Sequence, residues 1–255
     1  MDLGLDDRAF LITGGTDGLG LALAETLIAE GARVAVCGRD QERLSAAQER
    51  LGQSARCQRT DVTNSEQLTA FVQDTLTAFG RLDGVVSNAG QSSARAVVAS
   101  SDDQWRADFE LKVLPAVALA RQCAEALETT SGSILNILTI KAKAPDANST
   151  PTSASRAAGL ALTKALAAEL GPRGVRANAI LVGLVESGQW VRMAQSMGVE
   201  LSDFYERIAQ SQPIALGRVG RAEEFAALAA FVLSPRASYL SGVGINLDGG
   251  LSPVV

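Results

Sequence analysis

The 255-residue sequence contains no histidine. That absence excludes Ser-His-Asp and Cys-His chemistry and any zinc site built on imidazole. Cysteine is scarce as well. Cys37, Cys57 and Cys123 share no CxxC spacing, so neither a metal site nor a disulfide framework is expected. They read as small buried hydrophobes of a reducing compartment. Aromatics are few, and only Tyr205 and Tyr239 carry a phenol. Positive charge is nowhere concentrated: 23 Lys and Arg against 28 Asp and Glu leave a formal charge of −5. Nucleic acid is therefore not the expected partner. No uninterrupted apolar run approaches the roughly 20 residues of a membrane span. The acidic start, residues 1–8, lacks the basic and apolar regions of a signal peptide. A cytoplasmic protein is expected.

What is present is a regular alternation of short apolar runs and longer amphipathic stretches. The runs at Ala9–Thr13, Arg33–Cys37, Ala55–Gln58, Leu82–Ser87, Ser133–Leu138, Val175–Leu181 and Gly244–Leu247 read as strands. Helical patterns lie between them near Gly18–Glu30, Asp40–Leu51, Ser65–Phe79, Ser101–Leu127, Thr152–Leu170 and Ala222–Leu233. Asp40 and Ser65 stand as N-caps, and Gly31, Gly52, Gly80 and Gly171 as stops. Strand–helix repetition of this kind predicts an α/β protein: a seven-stranded parallel sheet, doubly wound, with helices on both faces. With no linker or internal repeat, residues 1–255 are expected to form a single domain. Two segments interrupt the rhythm. Ala142–Pro151 is a polar loop. Residues 184–213 form a long insertion carrying Trp190, Met193, Met197, Phe204 and Tyr205. Apolar residues gathered in such an insertion predict a lid over a pocket, with a surface-packed αα-hairpin as the plain alternative.

Directly after the first strand comes Thr13-Gly14-Gly15-Thr16-Asp17-Gly18-Leu19-Gly20, which opens a helix. In a strand–turn–helix setting Gly14 permits the tight turn and Gly18 admits a pyrophosphate to the backbone amides. Gly20 allows close helix–strand packing. The helix N-terminus adds unpaired N–H groups for the anion. A dinucleotide site is the reading.

The sequence resembles the short-chain dehydrogenase/reductase family over essentially its whole length. The loop fits that family's TGxxxGxG pattern. Asp61-Val62 resembles the pair that holds the adenine, and Ser87-Asn88-Ala89-Gly90 its NNAG stretch. Val182-Gly183 through Ser187, with Val185 between, is similar to the PGxVxT segment beside the nicotinamide amide, with Val182 replacing proline and Ser187 threonine. Gly217-Arg218-Val219-Gly220, Glu223-Glu224 and Asp248-Gly249-Gly250 match its C-terminal signature. The resemblance implies a Rossmann-type fold and cofactor contacts from Gly14, Thr16, Asp17, Gly18, Leu19, Gly20, Asp61, Val62, Asn88, Ala89, Gly90, Arg156, Gly183, Val185 and Ser187.

The end of the second strand decides between the two nicotinamide cofactors. An acid there holds the ribose 2′-OH of NAD. Here it reads Val36-Cys37-Gly38-Arg39, and an arginine suits a 2′-phosphate. NADP(H) is expected over NAD(H). Asp40 reads as a helix cap, and Asp17 stands against the assignment, because relatives that prefer NADP often carry a basic or neutral residue there.

The catalytic half departs from the pattern. The family works with Asn, Ser, Tyr and Lys. Residues 132–139 resemble the strand ending in the serine, so Thr139 occupies that place. Residues 152–158 resemble YSASKAA, so Thr152 stands for Tyr and Arg156 for Lys. Residues 105–112 resemble the helix bearing Asn, so Lys112 stands there. Thr139 keeps a hydroxyl. Thr152 is a poor acid beside a phenol, whose ordinary pKa is about 10. Arg156 shares a helix face with Thr152 but stays protonated and cannot relay a proton. If Lys112 and Arg156 both point inward, an anion belongs between them: a substrate carboxylate, a phosphate or Glu186.

Two readings follow. One is an NADP(H)-dependent oxidoreductase acting on a small carbonyl, alcohol or conjugated enoyl substrate, its proton donor being Lys112, Lys141, Tyr205 or water. The other is an NADP(H)-binding protein without turnover, serving as sensor or partner subunit. A lyase like the halohydrin dehalogenases fits poorly, because those keep Ser and Tyr and have lost the glycine loop. The resemblance also implies a homodimer or homotetramer through the helices at 101–127 and 152–170.

Overall fold

The computed structural model describes residues 2–255. Seven strands form one sheet: β1 (Ala9–Thr13), β2 (Arg33–Gly38), β3 (Ala55–Arg59), β4 (Gly84–Ser87), β5 (Ser133–Thr139), β6 (Arg176–Val182) and β7 (Gly244–Leu247). Their order is β3-β2-β1-β4-β5-β6-β7, and every pairing is parallel. The strands read as unbroken apolar runs because both faces are covered. Alternate residues serve opposite cores. Phe10, Ile12, Val34 and Val36 face one side with Leu23, Leu27 and Phe225, while Leu11, Ala35 and Val85 face the other with Leu68, Phe71, Leu119 and Leu166. The fold is Rossmann-type α/β, as the alternating pattern predicts.

Helices α1 (Gly18–Ala29), α2 (Gln41–Leu51) and α9 (Ala222–Leu233) cover the first face. Helices α3 (Ser65–Phe79), α4 (Asp102–Lys112), α5 (Leu114–Thr130) and α6 (Thr152–Leu170) lie on the second, with α3, α5 and α6 supplying its core. Asp40 caps α2 by accepting from the Arg43 amide at 3.0 Å. For α3 the cap is Asn64, whose side-chain oxygen accepts from the amides of Glu66 and Gln67; Ser65 is the first helical residue. Gly80 ends α3 in the left-handed region at φ 68°, a conformation without steric penalty only for glycine.

The single helix predicted over Ser101–Leu127 is two helices, broken at Val113. Pro115 explains the break. It has no amide proton, and its ring would clash with the carbonyl four residues earlier, at Leu111. The insertion at 184–213 is a helical hairpin. Helix α7 (Gly188–Met197) turns at Gly198 into α8 (Leu201–Ser211), and Trp190 meets Phe204 with ring centroids 6.0 Å apart. Among the described residues, no helix is long and apolar enough to cross a membrane, and no group of three potential metal ligands occurs.

Candidate active site

In a doubly wound sheet the strand order reverses at a point where two neighbouring crossovers leave in opposite directions, opening a crevice at the strands' C-terminal ends. Here that point lies between β1 and β4. A cavity of about 960 Å³ opens there. It is lined by the glycine loop, by the chain after β2, β4, β5 and β6, and by the start of α7.

The loop is built by a few specific bonds. The Thr13 hydroxyl accepts from the amides of Asn88 and Ala89, each at 3.1 Å. The Asn88 side-chain amide donates to the carbonyls of Thr13 and Gly14 at 3.0 and 2.9 Å. The turn after β4 thus holds the turn after β1 in shape. Gly20 does not face the cavity. A Cβ there would lie 2.6 Å from the Asn88 amide nitrogen and press on the Gly14 carbonyl. Its glycine is required by the loop itself rather than by the sheet. Helix α1 starts without a side-chain cap, leaving first-turn N–H groups free. Those groups, in a cradle of Gly14, Thr16, Gly18 and Leu19, suit a pyrophosphate.

At one end of the cavity stand Arg39 and Arg43. Arg39 is largely exposed and lies 3.8 Å from Asp61. Asp61 itself does not line the cavity; it accepts from the amide and hydroxyl of Thr63, while Thr60 and Val62 line the wall. Burial opposes ionisation of Asp61, but the Thr63 bonds and the Arg39 charge outweigh it and hold its carboxyl below the usual range. Asp17 pairs with Arg192 of α7 at 2.5 Å and approaches Arg43 at 3.7 Å.

At the other end Thr139, Thr152 and Arg156 face the same cavity. Arg156 donates from Nη1 to the Ile137 carbonyl at 3.0 Å. Its Nη2 lies where any side chain on Gly90 would sit, so the glycine after Asn88-Ala89 makes room for the guanidinium. Burial lowers Arg156 to about 10, and Asp108 opposes that shift. Lys112 is not a wall residue. Its side chain is fully buried behind Thr152, where Nζ donates to Asp108 and, at 3.2 Å, to the Thr152 hydroxyl. The anion beside Lys112 is Asp108, not Glu186. Asp108 also accepts from Ser93 and Ser155. Burial works to raise its carboxyl, yet the bonds from Lys112, Ser155 and Ser93 prevail and hold it low.

Of the expected cofactor residues, Gly14, Thr16, Asp17, Gly18, Leu19, Arg39, Val62, Asn88, Ala89, Gly90, Arg156, Gly183 and Ser187 line this one cavity. Gly20, Asp61 and Val185 lie behind it; Val185 is buried and bridges to Gly220. Lys141 lines the cavity and pairs with Asp146. Neither tyrosine does: Tyr205 packs on Phe204 and Tyr239 is exposed.

The family described as Enoyl-(Acyl carrier protein) reductase matches residues 14–252. A probable 2,4-dienoyl-CoA reductase of Bacillus subtilis is 33% identical, the alignment covering 96% of this chain and 97% of the relative. An NADPH-bound short chain oxidoreductase of Pseudomonas aeruginosa PAO1, described as containing an atypical catalytic center, superposes with a TM-score of 0.91 at 34% identity, over 97% and 98% of the two chains. L-sorbose reductase of Gluconobacter frateurii, complexed with NADPH and L-sorbose, reaches 0.93 at 30% identity over the whole of both chains.

The chain is a short-chain dehydrogenase/reductase. The uncapped α1 N-terminus and the glycine cradle of this dehydrogenase/reductase fit a nicotinamide dinucleotide. Sequence reasoning missed Asp108, Ser93, Arg43 and Arg192. Asp108 carried a visible signal, its four-residue spacing from Lys112 on one helix. Ser93 and Arg192 come from distant segments and carried none.

Proposed function

We propose that this protein is an NADP(H)-dependent oxidoreductase acting on a small carbonyl, alcohol or conjugated enoyl substrate, in which Thr139, Thr152, Arg156 and Lys112 replace the family's usual tetrad. The observation that carries the reading is one continuous cavity joining the glycine cradle to two hydroxyls and a guanidinium. When bound, the reduced nicotinamide supplies the hydride. Arg156 holds that end of the cavity positive, suiting a cofactor ribose, a polarised oxygen or an anionic substrate. Thr139 and Thr152 each offer an O–H to a substrate oxygen. Arg39, with Arg43 beside it, favours a 2′-phosphate over a free 2′-OH. The NADPH-bound relatives and the dienoyl reductase support the same choice of cofactor and substrate class.

The whole chain serves as one dinucleotide-binding domain, with the α7–α8 hairpin as a lid. The reduced thiols suit the cytoplasm. Exposed Val97, Val98, Leu114 and Val117 beside α4 and α5 support a homodimer or homotetramer. A second reading, cofactor binding without turnover, draws on the absence of a phenol from the cavity wall.

The test mixes the protein with NADPH and a panel of ketones, enoyl thioesters and quinones while nicotinamide absorbance is followed, and measures NADPH binding separately by fluorescence. Substrate-dependent decay establishes the oxidoreductase. Tight binding with no decay across the panel establishes the second reading.

A further inference from the structure

Behind the cavity wall lies a closed polar cluster that the family's usual residues do not account for. Lys112 sits in the last turn of α4. Its Nζ donates to Asp108, one turn earlier, and to Thr152 Oγ1 at 3.2 Å. Asp108 is held by Ser155 Oγ of α6 and Ser93 Oγ of the loop after β4. The Thr152 oxygen also accepts the Ser93 backbone N–H at 3.0 Å.

A hydroxyl has two lone pairs and one proton. Two donors, the Lys112 ammonium and the Ser93 amide, already occupy the lone pairs of Thr152 Oγ1. Its own proton is therefore left for Ser93 Oγ, 3.3 Å away, or for an acceptor in the cavity that Thr152 lines. The bonds from Lys112, Ser155 and Ser93 that end on Asp108 fix the buried pair, while the bond from Lys112 Nζ to Thr152 Oγ1 leads from behind the wall to a hydroxyl that lines the cavity.

We propose that Lys112 is the proton source of this active site, delivering through Thr152 Oγ1, with Asp108, Ser155 and Ser93 as positioning residues; this rests on the oxidoreductase reading above. Thr152 Oγ1 gives its proton to the substrate oxygen (or, for an enoyl substrate, to the enolate) and takes one from Lys112 Nζ. The electron pair arrives as hydride from the reduced nicotinamide, so one hydride and one proton complete the reduction. The neutral Lys112 amine is re-protonated by water along the same path once product leaves.

The charges suit the task. Burial is the main reason the Lys112 ammonium drops to about 8, and the Arg156 charge adds to the fall, while Asp108 opposes both. Asp108 on its own helix and Arg156 from α6 are the charged groups acting on it; the loop after β4 presents neutral Ser93. A donor titrating near neutral pH is close to the optimum for general acid catalysis. Arg156 stays protonated and is no rival.

The chain has four lysines, 112, 141, 143 and 164, so ε-carbon NMR of lysine-labelled protein resolves this group directly. Single Lys→Arg changes at the other three assign its signal. The expected midpoint lies near 8, well below the ordinary value of about 10.4, and moves lower in Asp108→Asn. Where that variant does not fold, the wild-type midpoint and the Thr152 variants below carry the test. In kinetics, reduction falls as pH rises through the same midpoint. Thr152→Val lowers kcat by about 10²–10⁴ with NADPH affinity unchanged, and Thr152→Ser restores it to within a few-fold. A midpoint in the ordinary lysine range, or Thr152→Val within threefold of wild type, overturns the proposal. NADPH binding with no turnover, alongside a Lys112 midpoint near 8, instead overturns the oxidoreductase reading while leaving the cluster's protonation as stated.

Discussion

Gly20→Ala separates helix propensity from tertiary packing by sign. Gly20 is the third residue of α1, and alanine is favoured over glycine in a helix by about 1 kcal/mol. Propensity alone therefore expects a small gain. The tertiary geometry expects a loss. The new Cβ would lie 2.6 Å from the Asn88 amide nitrogen and 3.0 Å from the Gly14 carbonyl carbon, with the Gly14 oxygen nearer still. Ordinary contact requires the Asn88 amide to withdraw by roughly 0.8 Å. Its bonds to Thr13 and Gly14, now 3.0 and 2.9 Å, do not survive that shift. Each is worth about 1 kcal/mol, and overpacking adds about 1–3 kcal/mol. After the propensity gain, the net loss is about 2–4 kcal/mol. For a chain of this size that lowers Tm by roughly 4–15 °C. Because the displaced carbonyl belongs to the phosphate cradle, NADPH affinity falls at least tenfold as well. Thermal unfolding followed by circular dichroism measures the first effect and fluorescence titration the second. A Gly20→Ala protein as stable as wild type refutes the packing argument outright.

Arg39→Ala weakens NADPH about fivefold to tenfold and leaves NADH unchanged, since an exposed charge-assisted bond to phosphate is worth about 1 kcal/mol after screening; equal losses for both cofactors in parallel titrations defeat the assignment. Arg176, almost fully buried, donates to the carbonyls of Val232, Leu233 and Ser234 at the end of α9 and to that of Leu240 in the segment before β7. Arg176→Met strands those acceptors and lowers stability by about 3–5 kcal/mol, read as a lower urea midpoint with an unchanged slope. Burial pushes Cys37 and Cys123 up to about 12 and Cys57 to about 11. A thiol reagent at mildly alkaline pH therefore leaves the native protein essentially unmodified and titrates three thiols once urea is added.

Much of the fold was legible because its signals are local. Apolar runs such as Phe10-Leu11-Ile12 mark strands covered on both faces, and Asp40 and Gly80 mark helix ends by their own short-range geometry. The break at Val113 was also written locally, in Pro115, but a continuous apolar period across 101–127 masked it. Asn64 rather than Ser65 capping α3 is the usual one-residue ambiguity between adjacent side chains that can both accept.

The site divides along the same line. The glycine loop, Asn88-Ala89-Gly90 and Arg39 are readable from spacing, since each serves the cofactor cradle through backbone shape or a fixed place after a strand. Thr152, Arg156 and Lys112 were locatable by resemblance, yet what they do together was not. Whether Lys112 points to solvent or inward is decided by α6 and the loop after β4, which bring Thr152, Ser155 and Ser93 against it. The sequence by itself determined the strand–helix order, the parallel sheet and the place of the dinucleotide cleft, because those follow from periodicity and glycine spacing. Only the tertiary structure decided that a lysine and an aspartate four residues apart become a buried pair behind a threonine. Contacts between segments far apart in the chain set its desolvation and its bonding, and no local pattern encodes them.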